Sequence, residues 1–409
     1  MQNISYFCIV KRIKYFFRSF FVLLSVLLPT TTFAQENDSI VVSLLTCGPG
    51  HEVYSLYGHT AIRYQNEGTN EDLAINYGMF SFDQDNFTLR FIFGQTDYEM
   101  GIIPFDFFKE SYLQEGRWIK EQKLNLTKEE KAALAVALNR NYQPENRIYR
   151  YNFIYNNCTT QARDIIANQI QGCIEYPYDK TEEPTTYREL TTIYSQVAPW
   201  TQFGNDLLLG VKADLPISHE ERQFLPIELF NDFETATILR PDGSRRKLVT
   251  ATEIIISEEE AAAAYNTSSR KEILKPIVLL SVLAAVVLLT TAIEYRKKRI
   301  FRLFDILIMF MTGVGGGALF LMVFSAHPTV SLNLQILLFN PLNLLILYPV
   351  IRKRKSILPY WRFYCGCLIL FLLGNLIQCY AEGTQILAFS LLIRYGIQQK
   401  RLHHSPIKV

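Results

Sequence analysis

From Ile273 onward the chain is a series of long apolar runs separated by short basic clusters, a pattern that suits a lipid bilayer better than a soluble core. Candidate spans are Ile277–Ile293, Leu303–Phe324, Leu334–Ile351 and Phe363–Tyr380, with a shorter fifth at Gln385–Ile397 that contains Arg394. A span needs about 20 apolar residues, so the first four meet or approach that length and the fifth falls short of it. Arg296-Lys297-Lys298-Arg299 lies between the first and second spans, Arg352-Lys353-Arg354-Lys355 between the third and fourth, and Lys400-Arg401 after the last. All three clusters fall on one side if everything before Ile273 is outside, as the positive-inside rule requires. The expected arrangement is an inner-membrane, multi-pass protein with an outer domain in the periplasm.

The first half is different. Up to about Lys271 polar and apolar residues mix as in a globular protein, and the 49% apolar average of the 409 residues hides this division. The formal net charge of +2 gives no reason to expect nucleic acid as a partner. At the N-terminus Lys11, Arg12, Lys14 and Arg18 form a basic n-region, Phe20 to Leu28 a short apolar h-region, and Thr32-Phe33-Ala34 a small-residue cleavage site. Residues 1–34 are therefore read as a signal peptide, which would remove Cys8. Residues 35–255 are read as a periplasmic domain, 256–272 as a linker, 273–400 as a transmembrane domain of about five helices and 401–409 as a cytoplasmic tail.

Within the outer domain, Ile40–Leu45 predicts a buried strand, while Thr60–Tyr64 and Leu73–Tyr77 alternate as half-buried strands do. Leu89–Phe93 is a further strand-like apolar run that ends at Gly94. Thr127-Lys128-Glu129-Glu130 is a capping-box pattern opening a helix over Ala132–Leu138. A second helix is expected from Thr159 to Ile170, with Ala162, Ile165, Ile166 and Ile170 on one stripe. Ala236–Leu239, Pro241-Asp242-Gly243 and Lys247–Ile255 predict a hairpin. This order of strands and helices implies an α+β domain followed by an all-α helix bundle.

Three cysteines fall in the outer domain, Cys47, Cys158 and Cys173, and an odd number leaves at least one thiol free in an oxidising compartment. Cys158 stands in Asn156-Asn157-Cys158-Thr159-Thr160, at the start of a predicted helix, where the helix dipole lowers a thiol pKa and free N–H groups face a developing oxyanion. A structural thiol, or a bridge to Cys173, accounts for the same residue. His59, in Tyr57-Gly58-His59-Thr60-Ala61-Ile62-Arg63, supplies the base that a thiol nucleophile needs, and Asn76 on the neighbouring strand is the candidate to orient its ring. His51, Tyr54, Tyr57 and His327 are assigned to substrate binding. The histidines show no i, i+4 pairing and no CxxC occurs, so neither a metal site nor a cofactor is expected.

At Gly58-His59-Thr60-Ala61-Ile62-Arg63, Asn76-Tyr77-Gly78 and Asn157-Cys158-Thr159-Thr160 the chain resembles the periplasmic domain of the Lnb-type lipoprotein N-acyltransferases. More distantly it resembles the circularly permuted papain-like (NlpC-type) thiol enzymes, in which the His strand also precedes the Cys helix. The resemblance implies Cys158 as nucleophile, His59 as base, and acyl transfer from a membrane phospholipid through a Cys158 thioester. The implied acceptor is the α-amine of a diacylglyceryl-cysteine at a lipoprotein N-terminus. Two rivals remain open: a membrane-tethered Cys–His peptidase or amidase acting on cell-wall peptides, and a non-enzymatic lipid-binding or assembly factor. About five spans exceed what tethering requires, which counts against the first.

Overall fold

The computed structural model describes residues 39–80, 85–178, 181, 183–265, 274–352 and 358–404; the expected signal peptide lies outside them. The strands among the described residues, in chain order, are β1 Ile40–Cys47, β2 His59–Asn66, β3 Glu71–Met79, β4 Asp97–Pro104, β5 Ile119–Leu124, β6 Ile148–Arg150, β7 Cys173–Glu175, β8 Thr237–Leu239, β9 Arg245–Lys247 and β10 Val249–Ile256. Seven of them form an antiparallel sheet in the order β10-β5-β1-β2-β3-β4-β6, and β7-β8-β9 form a small second sheet. The helices of this domain are α1 Phe87–Ile92, α2 Phe105–Gln114, α3 Lys128–Tyr142, α4 Cys158–Ala167, α5 Tyr187–Ser195, α6 Pro199–Leu208, α7 Pro226–Thr235 and α8 Glu258–Ala264.

The period-two pattern of the central strands builds two cores, one on each sheet face. Val42, Leu44, Ile62, Ile75 and Tyr77 point to one side and pack on Ala162 and Ile166 of α4 and on Leu229 and Phe233 of α7. Leu45, Cys47, Ala61 and Ala74 point to the other and pack on Phe105, Phe108 and Tyr112 of α2 and Ala261 of α8. The expected capping box opens α3, where Thr127 accepts from the Glu130 N–H and the Glu130 side chain reaches back to the Thr127 N–H. Two expectations need correction. Leu89–Phe93 is no strand: residues 87–92 form the short helix α1, which stops at Gly94 in the left-handed region (φ 65°). The run Lys247–Ile255 does not form one hairpin arm, because β9 stays with β8 while β10 leaves to pair with β5.

The bundle comprises α9 Pro276–Lys297, α10 Arg302–Met322, a 3-10 turn Leu334–Leu337, α11 Leu342–Ile351, α12 Leu358–Gly374 and α13 Thr384–His404. Among the described residues three stretches, Pro276–Lys297, Arg302–Met322 and Leu334–Ile351, are long and apolar enough to cross a membrane. The third is not one continuous helix. Pro341 has no N–H to donate and its ring excludes a helical neighbour, so regular helix begins only at Leu342, with the Asn340 side chain accepting from the Leu342 N–H (3.0 Å). The fourth ends at Gly374 rather than Tyr380. The short fifth run lies inside a 21-residue helix, and its arginine is neutralised inside the bundle: fully buried Arg394 bonds Asp305 (2.8 Å), Glu294 (3.0 Å) and Thr291 (3.0 Å).

Two helix C-termini seat the sheet domain on the bundle. The last carbonyls of a helix lack partners within it. At α6 they accept from bundle amides: Gln335 Nε2 donates to Asp206 O (2.8 Å), Asn333 Nδ2 to Leu207 O (2.8 Å) and Gln378 Nε2 to Leu209 O (3.0 Å). At α1, Ser325 Oγ donates to Ile92 O (2.8 Å) and the Ala326 N–H to Phe93 O (3.0 Å). Arg188 of α5 stiffens the first contact by holding Asp206 (2.9 Å) and Asp214 (2.7 Å).

Candidate active site

Cys158 is the first residue of α4, and Asn157 before it holds the whole helix start. Asn157 Oδ1 accepts from the Thr159 and Thr160 N–H groups (2.9 Å each), Thr160 Oγ1 accepts from the Asn157 N–H (2.9 Å), and Asn157 Nδ2 donates to Phe153 O (2.6 Å) and Phe224 O (2.9 Å). This corrects the expectation of several free donors at the helix start. Thr159 and Thr160 are already satisfied, and the N–H left without an acceptor among the described residues is that of Cys158 itself.

β2 and β3 bring the partners. His59 opens β2, and Asn76 stands on β3 opposite Ala61. Asn76 Oδ1 accepts from His59 Nε2 at 2.7 Å, which leaves Nδ1 for the sulfur. The Cys158 Sγ lies 3.8 Å from the Thr159 hydroxyl, and the His59 ring and the Thr60 backbone N–H act on the thiol as the influences that favour its ionised form. Thr159 is held in turn by Thr60, Oγ1 to Oγ1, at 3.1 Å. Burial pushes the thiol up, but the charge and hydrogen bond of His59, with the Thr60 N–H and Thr159 hydroxyl, outweigh it and bring Cys158 from an ordinary 9.0 down to about 7.

Two glycines make room for this contact. Gly58 sits at φ 78°, and a Cβ there would stand 2.7 Å from Cys47 O, so the turn delivering His59 requires glycine. At Gly78, where the β3–β4 register slips, a Cβ would lie 3.1 Å from His59 Cε1 and 3.6 Å from Cys158 Cβ. The ring of Tyr112 lies 6.4 Å from that of His59, nearly parallel to it. Tyr98 and Tyr151 stack at 4.0 Å, and the charge of Cys158 acts on both and on Tyr149. Burial first, and then neighbouring charges that include Cys158, push all three phenols up, Tyr98 to about 12, so they present neutral rings.

The remaining cysteines are chemically quieter. All cysteines among the described residues are free, so Cys158 is not bridged to Cys173. Cys47 is buried behind His59, and burial raises its thiol to about 12. The residues assigned to substrate binding scatter. Tyr54 is exposed, 6.0 Å edge-on to Phe80. Tyr57 is instead a prop, its hydroxyl accepting from Asn205 Nδ2 (2.7 Å) and its ring 4.7 Å from Phe153. His51 stacks on Tyr265 (4.5 Å), and His327 lies on the bundle with Nε2 3.1 Å from Phe91 O. No group of three or more His, Cys, Asp or Glu side chains among the described residues is placed to hold a metal. The double cap by Asn157 was missed in the sequence, although Asn followed three residues later by Thr carries a capping signal.

Fold and site together define a class: a membrane protein with a thiol–imidazole–amide site on a sheet domain docked to one end of its helix bundle. Residues 30–192 match the family model of the Lnb N-terminal periplasmic domain and residues 268–403 that of the Lnb transmembrane domain. The chain belongs to the Lnb family, as a membrane protein with a periplasmic part. No curated protein and no solved structure matches it.

Proposed function

We propose that the protein is a lipoprotein N-acyltransferase of the inner membrane. Residues 35–255 form its periplasmic catalytic domain, 273–400 cross the membrane about five times, and 401–409 form a cytoplasmic tail. The basic segment Arg296–Arg299 supports this orientation, because it lies at the end of α9 away from Leu274, which contacts Trp200 of the sheet domain. A His strand that precedes the Cys helix supports a circularly permuted, papain-like (NlpC-type) form of the α+β domain. The lowered thiol of Cys158, held by His59 and Asn76 on a domain seated against lipid-facing helices, carries the functional reading.

In the first half-reaction the Cys158 thiolate attacks an ester carbonyl carbon of a phospholipid, and the Cys158 N–H is the donor available to the oxyanion. Collapse breaks the ester C–O bond, the departing alkoxide takes the proton from His59, and a lysophospholipid leaves an acyl-thioester behind. In the second, the free α-amine of a diacylglyceryl-cysteine attacks the thioester. The C–S bond breaks, His59 receives the amine proton, and an amide forms. Asn76 keeps the imidazole turned toward sulfur throughout. The neutral tyrosine rings around the thiol disfavour water as a competing acceptor.

The test is intact mass of the full chain after incubation with phospholipid, comparing wild type with Cys158→Ala. The expected result is a hydroxylamine-sensitive gain of one acyl chain, absent from the variant, and discharged onto a diacylglyceryl-cysteine peptide as an amide. No gain in wild type, with competent lipid and detergent, would overturn acyl transfer. Discharge to free fatty acid with no amide would instead make the protein a hydrolase.

A further inference from the structure

α6, Pro199–Leu208, is amphipathic in the inverted sense. At about 100° per residue, Trp200, Phe203, Gly204, Leu207 and Leu208 fall along one side, and Thr201, Gln202, Asn205 and Asp206 along the other. The polar side is the one that meets protein: Asn205 Nδ2 donates to the Tyr57 hydroxyl (2.7 Å) and Asp206 accepts from Arg188 (2.9 Å). The apolar side is left open. Trp200 is 40% and Leu208 38% exposed, no residue of the helix is fully buried, and a Cβ built on Gly204 would meet no neighbouring group within 4 Å. Val197, just before the helix, is 75% exposed. A surface helix in water shows the reverse, its apolar side on protein and its polar side out.

The two ends fix the height at which α6 lies. Trp200 Nε1 donates to Leu274 O (2.9 Å), two residues before α9 begins. At the other end Asn333 Nδ2 donates to Leu207 O (2.8 Å) and the Val211 N–H to Leu332 O (2.8 Å), just ahead of the stretch Leu334–Ile351. Pro276–Lys297 and Leu334–Ile351 are the first and third apolar stretches, and a chain that has crossed twice is back on the side from which it started. α6 is thus strung between two points where the chain enters the bilayer. The carbonyls of Asp206, Leu207, Leu208 and Leu209 are taken by the amides of Gln335, Asn333 and Gln378, so this helix end makes no demand on water.

We propose that the apolar side of α6, with Val197, is a membrane-interface surface whose partner is the lipid of the leaflet nearer the sheet domain: the helix lies flat at the boundary of headgroups and acyl chains, this side down. The Trp200 indole, apolar in body and polar at its N–H, suits that depth. A helix with polar residues above and large apolar ones below is the form that settles in this layer. The placement reaches the site, because Tyr57, which Asn205 holds, stands two residues before His59. The surface does not rest on the acyl-transfer chemistry and would serve a hydrolase equally.

Full-length protein, one chain per phospholipid nanodisc, is illuminated with a phosphatidylethanolamine carrying a diazirine near the ester end of one acyl chain, and labelled residues are mapped by mass spectrometry. Label on Trp200, Phe203 or Leu208 is expected at least about tenfold above that on Val136, an exposed residue of α3. A smaller ratio, with α9 and α10 well labelled, would overturn the surface, because the side would then face water or be covered by protein. Moving the diazirine to the methyl end of the chain should cut the label on α6 severalfold and shift the label on α9 toward its middle. Equal or stronger label on α6 from the methyl-end probe would also overturn the interfacial placement.

Discussion

Asn157 engages every hydrogen-bonding group of its side chain in holding Cys158 still, so its loss should be felt twice. Asn157→Ala removes a helix cap and leaves Phe153 O and Phe224 O unpaired, a cost of about 2 kcal/mol that a thermal-shift measurement would register. It should also slow acylation by displacing the sulfur. Gly78→Ala works differently. The new methyl crowds His59 Cε1 and Cys158 Cβ, so acylation should fall about tenfold or more with little change in melting temperature. The thiol sets the pH dependence. Cys158 alkylation by iodoacetamide should rise with pH through about 7 and fall about tenfold per unit below it, as the thiolate is protonated. His59→Ala removes the two strongest lowering influences, so the midpoint should move up toward 9.0 or beyond, because burial remains. The same lowered thiol stabilises the folded chain only on the alkaline side, fully above 9.0 and no longer below about 7.

The elements differ in how plainly the sequence announced them. The alternation in Thr60–Tyr64 and Leu73–Tyr77 reports one buried face per residue pair, and both runs are strands with His59 and Asn76 at the places expected. Leu89–Phe93 misled because five residues, apolar but for Arg90, suit a strand or little more than one helical turn equally. The choice was made by docking onto Ser325 and Ala326, more than two hundred residues away. The last apolar run read as a short, weaker span because it holds Arg394, whose partners sit on α9 and α10, out of sight of any local window. Arg394→Leu should therefore be far from neutral. It would leave Glu294 and Asp305 buried without a cation, a loss of about 3–5 kcal/mol visible as a lower melting temperature in detergent, and neutralising both acids in the same chain should recover much of it.

At the scale of the whole molecule, the seat of the sheet domain is made of side-chain amides reaching carbonyls that α6 cannot satisfy alone. Gln335→Ala with Gln378→Ala should free those carbonyls, raise hydrogen exchange across residues 207–211, and slow acylation by bilayer lipid more than acylation by a soluble short-chain donor. On the proposed orientation, those amides hold Cys158 at one height above the membrane. On the acyl-transfer reading, encounter is then a two-dimensional search. Turnover should follow the mole fraction of donor and acceptor in the plane of the bilayer: diluting the vesicles with buffer would leave the rate per enzyme unchanged, and diluting the bilayer with an inert lipid would lower it.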